Sequence, residues 1–141
     1  MNTDDGSTTP LVQVAGLVKH FPIKRGIVFQ RQIGAVRAVE DVTFDVGERE
    51  TLGLVGESGC GKSTTARLIA RLLEPTAGTV TFDGVDVTHL SMAQMRPLRR
   101  EVQMVFQDPY ASLNPRHSVG QIIGAPFQIH QIPGDRKAMV Q

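Results

Sequence analysis

Apolar and polar residues alternate from Leu11 to Val18, with Val12, Val14 and Gly16 on one side, and this period of two predicts a first β-strand. Phe21-Pro22 is expected to end it, and the basic stretch from Lys24 to Arg31 to form an exposed loop. Alternation returns in Ala35 to Val46 through Val36, Ala38, Val42, Phe44 and Val46, a second extended stretch closed by a turn at Gly47-Glu48. Thr51 to Val55 is a short apolar run, the pattern of a strand buried on both faces of a parallel or mixed sheet. From about Lys62 to Leu73 the period becomes helical, with Ala66, Ile69, Ala70 and Leu73 on one apolar side and Pro75 and Gly78 closing the element. Thr79 to Val87 reads as a hairpin turning at Asp83-Gly84. Ser91 and Gln94 offer a capping box to a short helix that Pro97 interrupts or restarts. Val102 to Phe106 predicts another short strand. Beyond it Pro109, Pro115, Pro126 and Pro133 leave room only for short helices, such as one around Val119 to Ile123, while Asp135 to Gln141 begin a further one.

Composition narrows the possibilities without naming one. At 141 residues the chain is the size of one domain and long enough to bury a core. A formal net charge of +1 argues against nucleic acid or an anionic membrane surface as a partner. Cys60 is the single cysteine, so no intrachain disulfide can form and a reducing cytosol fits. The polar leader, residues 1–10, has neither a basic start nor an apolar stretch, so it does not read as a secretory signal and is expected to be disordered. No apolar run approaches the roughly 20 residues that span a bilayer, which leaves membrane association to a partner. His20, His89, His117 and His130 lack metal-ligand spacing and are expected to face solvent.

The candidate chemistry lies between the Thr51 run and the helix. Gly56-Glu57-Ser58-Gly59-Cys60-Gly61-Lys62-Ser63, followed by Thr64, satisfies the pattern G-x-x-x-x-G-K-[ST] of a phosphate-binding loop. Glycines let the backbone turn its N–H groups inward on phosphate oxygens, and the helix that follows aims its positive end at the same anion. Lys62 would bring a compact positive charge to the β- and γ-phosphates, and Ser63 a hydroxyl to Mg²⁺, which prefers hard oxygen ligands. A glycine-rich turn matching by chance is the alternative, and the strand before and helix after the loop argue against it. Cys60 reads either as a small space-filler or as a redox-active thiol.

A phosphate loop does not by itself separate GTPases, kinases and transport ATPases. Two flanking features do. Val105-Phe106-Gln107-Asp108-Pro109 follows about forty residues on, with the spacing and residues of the Q-loop of ABC ATPases, and Phe21 stands where that family carries an aromatic residue for stacking on adenine. Together with GESGCGKST at Gly56–Thr64, QDPYASLNPR at Gln107–Arg116, Val119-Gly120 and the basic insertion after His20-Phe21-Pro22, these features resemble the ATPase subunits of bacterial oligopeptide and dipeptide importers, a group whose SLNPR segment nickel permeases share. The likeness runs from Leu11 onward.

That resemblance implies an α/β fold: the P-loop NTPase core of an ABC ATPase, a mixed sheet with an antiparallel β subdomain, truncated within the helical subdomain, so that residues 11–141 are the N-terminal part of a nucleotide-binding domain. It implies ATP and Mg²⁺ as cofactors, with Lys62 and Gln107 in catalysis, Ser63 and Gln107 toward the metal, and Tyr110 to Arg116 near the groove that receives a transmembrane subunit. The implied partners are transmembrane permease subunits, a second ABC ATPase subunit (the same or a related one) and, indirectly, a solute-binding protein, at the cytoplasmic face of the inner membrane. For Phe21 a place in the core is the alternative, and for Gln107 a polar strand end. The sequence departs from the family in having no LSGGQ-like signature, no apolar strand ending in Asp-Glu and no later switch histidine, parts that in the family lie beyond the position of Gln141. Such a chain alone is expected to bind MgATP weakly with negligible turnover. Three other readings stay open: a non-catalytic truncated product, a soluble ABC ATPase of DNA repair or translation, and a nucleotide kinase or GTPase, although a guanine-reading N/T-K-x-D element is absent.

Overall fold

The computed structural model describes residues 9–25, 31–108 and 112–133. β1 (Val12–Arg25) and β2 (Arg31–Val46) pair antiparallel, from Val12 opposite Val46 to Arg25 opposite Arg31. β1 therefore runs past Phe21-Pro22, and Lys24, Arg25 and Arg31 lie in strands, where the sequence predicted a loop. The other neighbour of β1, β3 (Ala77–Phe82), pairs with it only between Val12 and Val18. On that side the His20 N–H donates to Thr76 Oγ1 at 3.0 Å. Pro22, two residues further, lies beyond the β3 ladder, where no described strand pairs with that side of β1 and a missing N–H leaves no ladder bond unmade.

β4 (Val85–Asp86) completes a sheet of order β2-β1-β3-β4, and every pairing among the described residues is antiparallel. Its hairpin turns at Asp83 and Gly84, with φ of 47° and 72°, the two positive values that a two-residue type I′ turn requires. The runs expected as buried strands, Thr51–Val55 and Val102–Phe106, carry no strand pairing here, and Val55 is 96% exposed. An apolar run becomes a strand only beside a partner ladder, and none of the four described strands pairs with either of these.

α1 (Lys62–Ile69) is shorter than predicted because Arg71 takes the left-handed conformation (φ 52°). The Arg71 N–H donates to Leu68 O at 3.0 Å and the Leu72 N–H to Arg67 O at 2.8 Å, which together close the helix in a Schellman motif. The guanidinium of Arg71 is buried, and it donates to the carbonyls of Val87, Leu73 and Leu90 at 2.8, 3.2 and 3.2 Å, tying the end of α1 to the chain after the hairpin. The buried side of α1 is Thr65 and Leu68, one residue round from the predicted Ala66 and Ile69 side. Thr65 tolerates burial because its hydroxyl donates to Gly61 O at 3.1 Å. Leu68 joins Val14, Leu17, Val39, Val80 and Val87 in the core.

The chain divides into two compact units, Met1–Ala93 and Gln94–Gln141. In the second, α3 (Val119–Ile129) extends through Pro126, well past the predicted stop at Ile123. Ser118 and Gln121 form a full capping box, with Ser118 Oγ accepting from the Gln121 N–H and Gln121 Oε1 from the Ser118 N–H. α2 (Met92–Leu98) carries Pro97 within it; Arg96 donates to Ile129 O at 3.0 Å and Arg100 to His130 O, placing cations on the carbonyl end of α3.

Leu17, 0% exposed, should be a load point of the sheet: Leu17→Ala is expected to cost about 2–5 kcal/mol in urea unfolding. Ile33→Ala, at a position 59% exposed, should change stability by no more than about 0.5 kcal/mol.

Candidate phosphate-binding site

The loop Gly56–Gly61 joins the exposed Thr51–Val55 run to α1. A turn forms within it, the Cys60 N–H donating to Glu57 O at 3.3 Å. Gly61 is the N-cap of α1 with φ of 95°, and a Cβ there would stand 2.2 Å from Ala38 O. Only glycine permits both that conformation and that approach, so the loop presses directly on the backbone of β2.

The start of α1 is electrostatically open. It has no side-chain cap and no acidic residue in its first turn, and its first intrahelical bond is from the Thr65 N–H to Gly61 O at 2.8 Å. The N–H groups of Lys62, Ser63 and Thr64 thus lack intrahelical acceptors and project from the positive end of the helix. Lys62 folds back over the loop, with Nζ 2.8 Å from Gly56 O, 2.7 Å from Glu57 O and 3.5 Å from Cys60 Sγ. A cation held in a concave run of backbone, beside unpaired N–H groups, fits a polyphosphate. Ser63 is exposed on the first turn, and its hydroxyl is a hard oxygen donor of the kind Mg²⁺ takes.

A cleft of about 340 Å³ opens beside the lysine, lined among others by Ala38, Val39, Leu54, Cys60, Lys62 and Thr65. Of the predicted residues, Gly56, Glu57, Cys60, Gly61 and Lys62 are thereby held around one point, Ser63 and Thr64 begin the helix there, and Ser58 and Gly59 form the exposed outer bend. Cys60 Sγ lies where a Cβ on Gly56 would meet it at 2.6 Å, so the thiol occupies the space that Gly56 leaves. Phe21 lies on β1 opposite Val36, 38% exposed, with Lys19 Nζ 5.1 Å from its ring centroid; it does not line the cleft. Gln107 is exposed in a bend of the second unit. Tyr110 lies outside the described residues.

Sequence reasoning missed the contribution of β2, since nothing in the alternation of Val36, Ala38 and Val42 marks Ala38 and Val39 as the floor of the loop. It also gave no partner to His20, whose partly exposed ring pairs through Nε2 with Glu40 Oε1, while Arg37 approaches the same carboxylate at 3.8 Å. Polar side chains at 20, 37 and 40 carry no spacing signal, because the pairing crosses two strands.

A family model described as ABC transporter matches residues 39–139. Similar proteins include a probable peptide ABC transporter ATP-binding protein of Sinorhizobium fredii, 54% identical over 84% of this chain and 33% of that protein. A glutathione import ATP-binding protein of Salmonella paratyphi A is 49% identical over 92% of this chain and 21% of its own length. An oligopeptide transport ATP-binding protein of Bacillus subtilis is 48% identical over 86% and 37%. The chain thus spans between about a fifth and two fifths of the length of these relatives. A solved dimeric ATP-binding cassette, in a post-hydrolysis state bound to ADP and Pi, superimposes with a TM-score of 0.74 at 22% identity, covering 92% of this chain and 53% of that one. That likeness places the fold, α/β with an antiparallel β part, among ATP-binding cassettes.

Gly61→Ala is expected to abolish measurable MgATP binding, because its methyl group would displace the loop from Ala38, and isothermal calorimetry reads this directly. A thiol reagent should modify the exposed Cys60 and block nucleotide binding, with MgATP slowing the modification; equal rates with and without MgATP would contradict the placement of Cys60 beside the bound phosphates.

Proposed function

This chain belongs to the ABC transporter family, and we propose that it forms the phosphate-binding portion of an ATP-binding subunit that couples MgATP binding and hydrolysis to solute import. The observation that carries the reading is Lys62 held over the Gly56–Gly61 loop next to an uncapped helix start. In this reading Lys62 and the first-turn N–H groups bind the phosphates, and the Ser63 hydroxyl would hold Mg²⁺, which would supply charge neutralisation to the bound phosphates. Gln107 is the further residue toward the metal and the attacking water, able to donate and accept through its amide, and Phe21 the platform for adenine. Gly56 to Thr64 form the cradle.

The names of the similar proteins, which specify peptide, glutathione and oligopeptide transport, support oligopeptides or dipeptides as the first solute class; nickel or another small solute comes behind them. The proposed partners are transmembrane permease subunits, a second ATPase subunit facing the phosphate loop, and a solute-binding protein reached through the permease. Attachment is peripheral, at the cytoplasmic side of the membrane; no helix among the described residues is long and apolar enough to cross one.

A second reading is that these residues bind nucleotide without turnover of their own, since the site as built offers phosphate donors and a hydroxyl for the metal. Measuring MgATP binding and hydrolysis in this chain and in Lys62→Ala separates the two. Binding should weaken about 10- to 100-fold in the variant, the effect of losing a charged hydrogen-bond donor, with hydrolysis near background in both. Turnover that Lys62→Ala abolishes would overturn the binding-only reading, and unchanged affinity would overturn the phosphate site.

A further inference from the structure

We propose that Lys19 is a positioning residue for the base of the bound nucleotide, acting through Phe21; the inference rests on the reading of Phe21 as an adenine platform. Lys19 and Phe21 are two apart on β1 and so share one face of the strand. The Lys19 ammonium stands 5.1 Å from the ring centroid, within the range of a cation–π contact. It is fixed there by a hydrogen bond of 2.6 Å to the carbonyl of Glu74, in the segment between α1 and β3. The ring therefore has one face covered by a held cation, while Phe21 as a whole remains 38% exposed.

The cation has a chemical consequence for the other face. It draws π density toward itself, so the opposite side of the ring favours an electron-rich partner, and a purine carrying an amino group is such a partner. The placement suits a nucleotide. Lys19 lies opposite Val39 in the β1–β2 ladder, so the two share a face, and Val39 Cγ2 is 3.5 Å from the position of a Cβ on Gly61. The base platform and the floor of the phosphate loop thus stand on one face of one ribbon. Lys19 is not itself a phosphate ligand in this arrangement, since its ammonium is engaged by Glu74 O and the ring.

The test compares MgATP with inorganic tripolyphosphate, which carries the phosphates without a base, on the full chain. Lys19→Met and the polar but neutral Lys19→Gln should weaken MgATP about 2- to 5-fold and leave tripolyphosphate unchanged, while Lys19→Arg retains wild-type affinity for both. Unchanged tripolyphosphate affinity also reports that the loop is intact in each variant. If both neutral variants bind MgATP as the wild type does, or lose both ligands together, while Phe21→Ala selectively weakens MgATP, the role of Lys19 is overturned and adenine stacking stands. If Phe21→Ala leaves MgATP affinity unchanged, the stacking reading falls and the inference falls with it.

Discussion

The contact on which the site depends is the approach of Gly61 to the carbonyl of Ala38, where a Cβ would be 2.2 Å from the oxygen. It fixes the loop against β2 and sets the residue that begins α1 in the left-handed conformation. From that start the helix leaves the N–H groups of Lys62, Ser63 and Thr64 without intrahelical acceptors. Lys62, the first helical residue, is then within reach of the carbonyls of Gly56 and Glu57. A side chain at position 61 would separate these consequences from one another, because the loop would have to lift from the strand that supports it.

The β1–β2 ribbon serves this contact with two faces of different character. One carries Lys19, Phe21 and Val39, the last buried beneath the loop. The other carries His20, paired with Glu40, and Arg37 near the same carboxylate. The charges there are partly solvated and contribute little to stability, but they give the two faces opposite preferences and so specify which one the loop and α1 cover. Arg71 holds the far end of the same layer. Its three carbonyl acceptors connect the end of α1 to the segment after the hairpin, so the helix cannot slide along the sheet without leaving a buried cation unsatisfied.

What could be read from residues alone follows from how local each signal is. The glycine-rich loop, the Asp83-Gly84 turn and the start of α1 are written in contiguous residues, and the turn and the helix start appear where expected. The length of β1 was not legible, because whether Pro22 ends a strand depends on where the neighbouring ladder stops, a property of Ala77 and Thr76 more than fifty residues away. The buried side of α1 was off by one residue for a similar reason: Thr65 reads as polar until Gly61 O is seen to satisfy it. The capping box of α3 is written in Ser118 and Gln121, three residues apart, and it starts a helix that runs on through Pro126. The apolarity of Thr51–Val55 predicts a strand, yet pairing needs a partner, and no described strand supplies one.

The hydrogen bonds of Lys62 bear on how readily such a loop takes a ligand. Its ammonium bridges two carbonyls of the loop, so moving it onto a phosphate oxygen removes a donor from Gly56 and Glu57. Were those carbonyls buried, each would be left with the full penalty of an unmade bond. Both residues are exposed, so water can replace the lysine as it leaves. The exchange then approaches one of charged hydrogen bond for charged hydrogen bond, and the N–H groups at the start of α1 are added on the side of the bound state. A phosphate loop that lies open on the surface of its strand, with only its last glycine pressed against the backbone, meets both demands: fixed donors at the helix and a cation free to move.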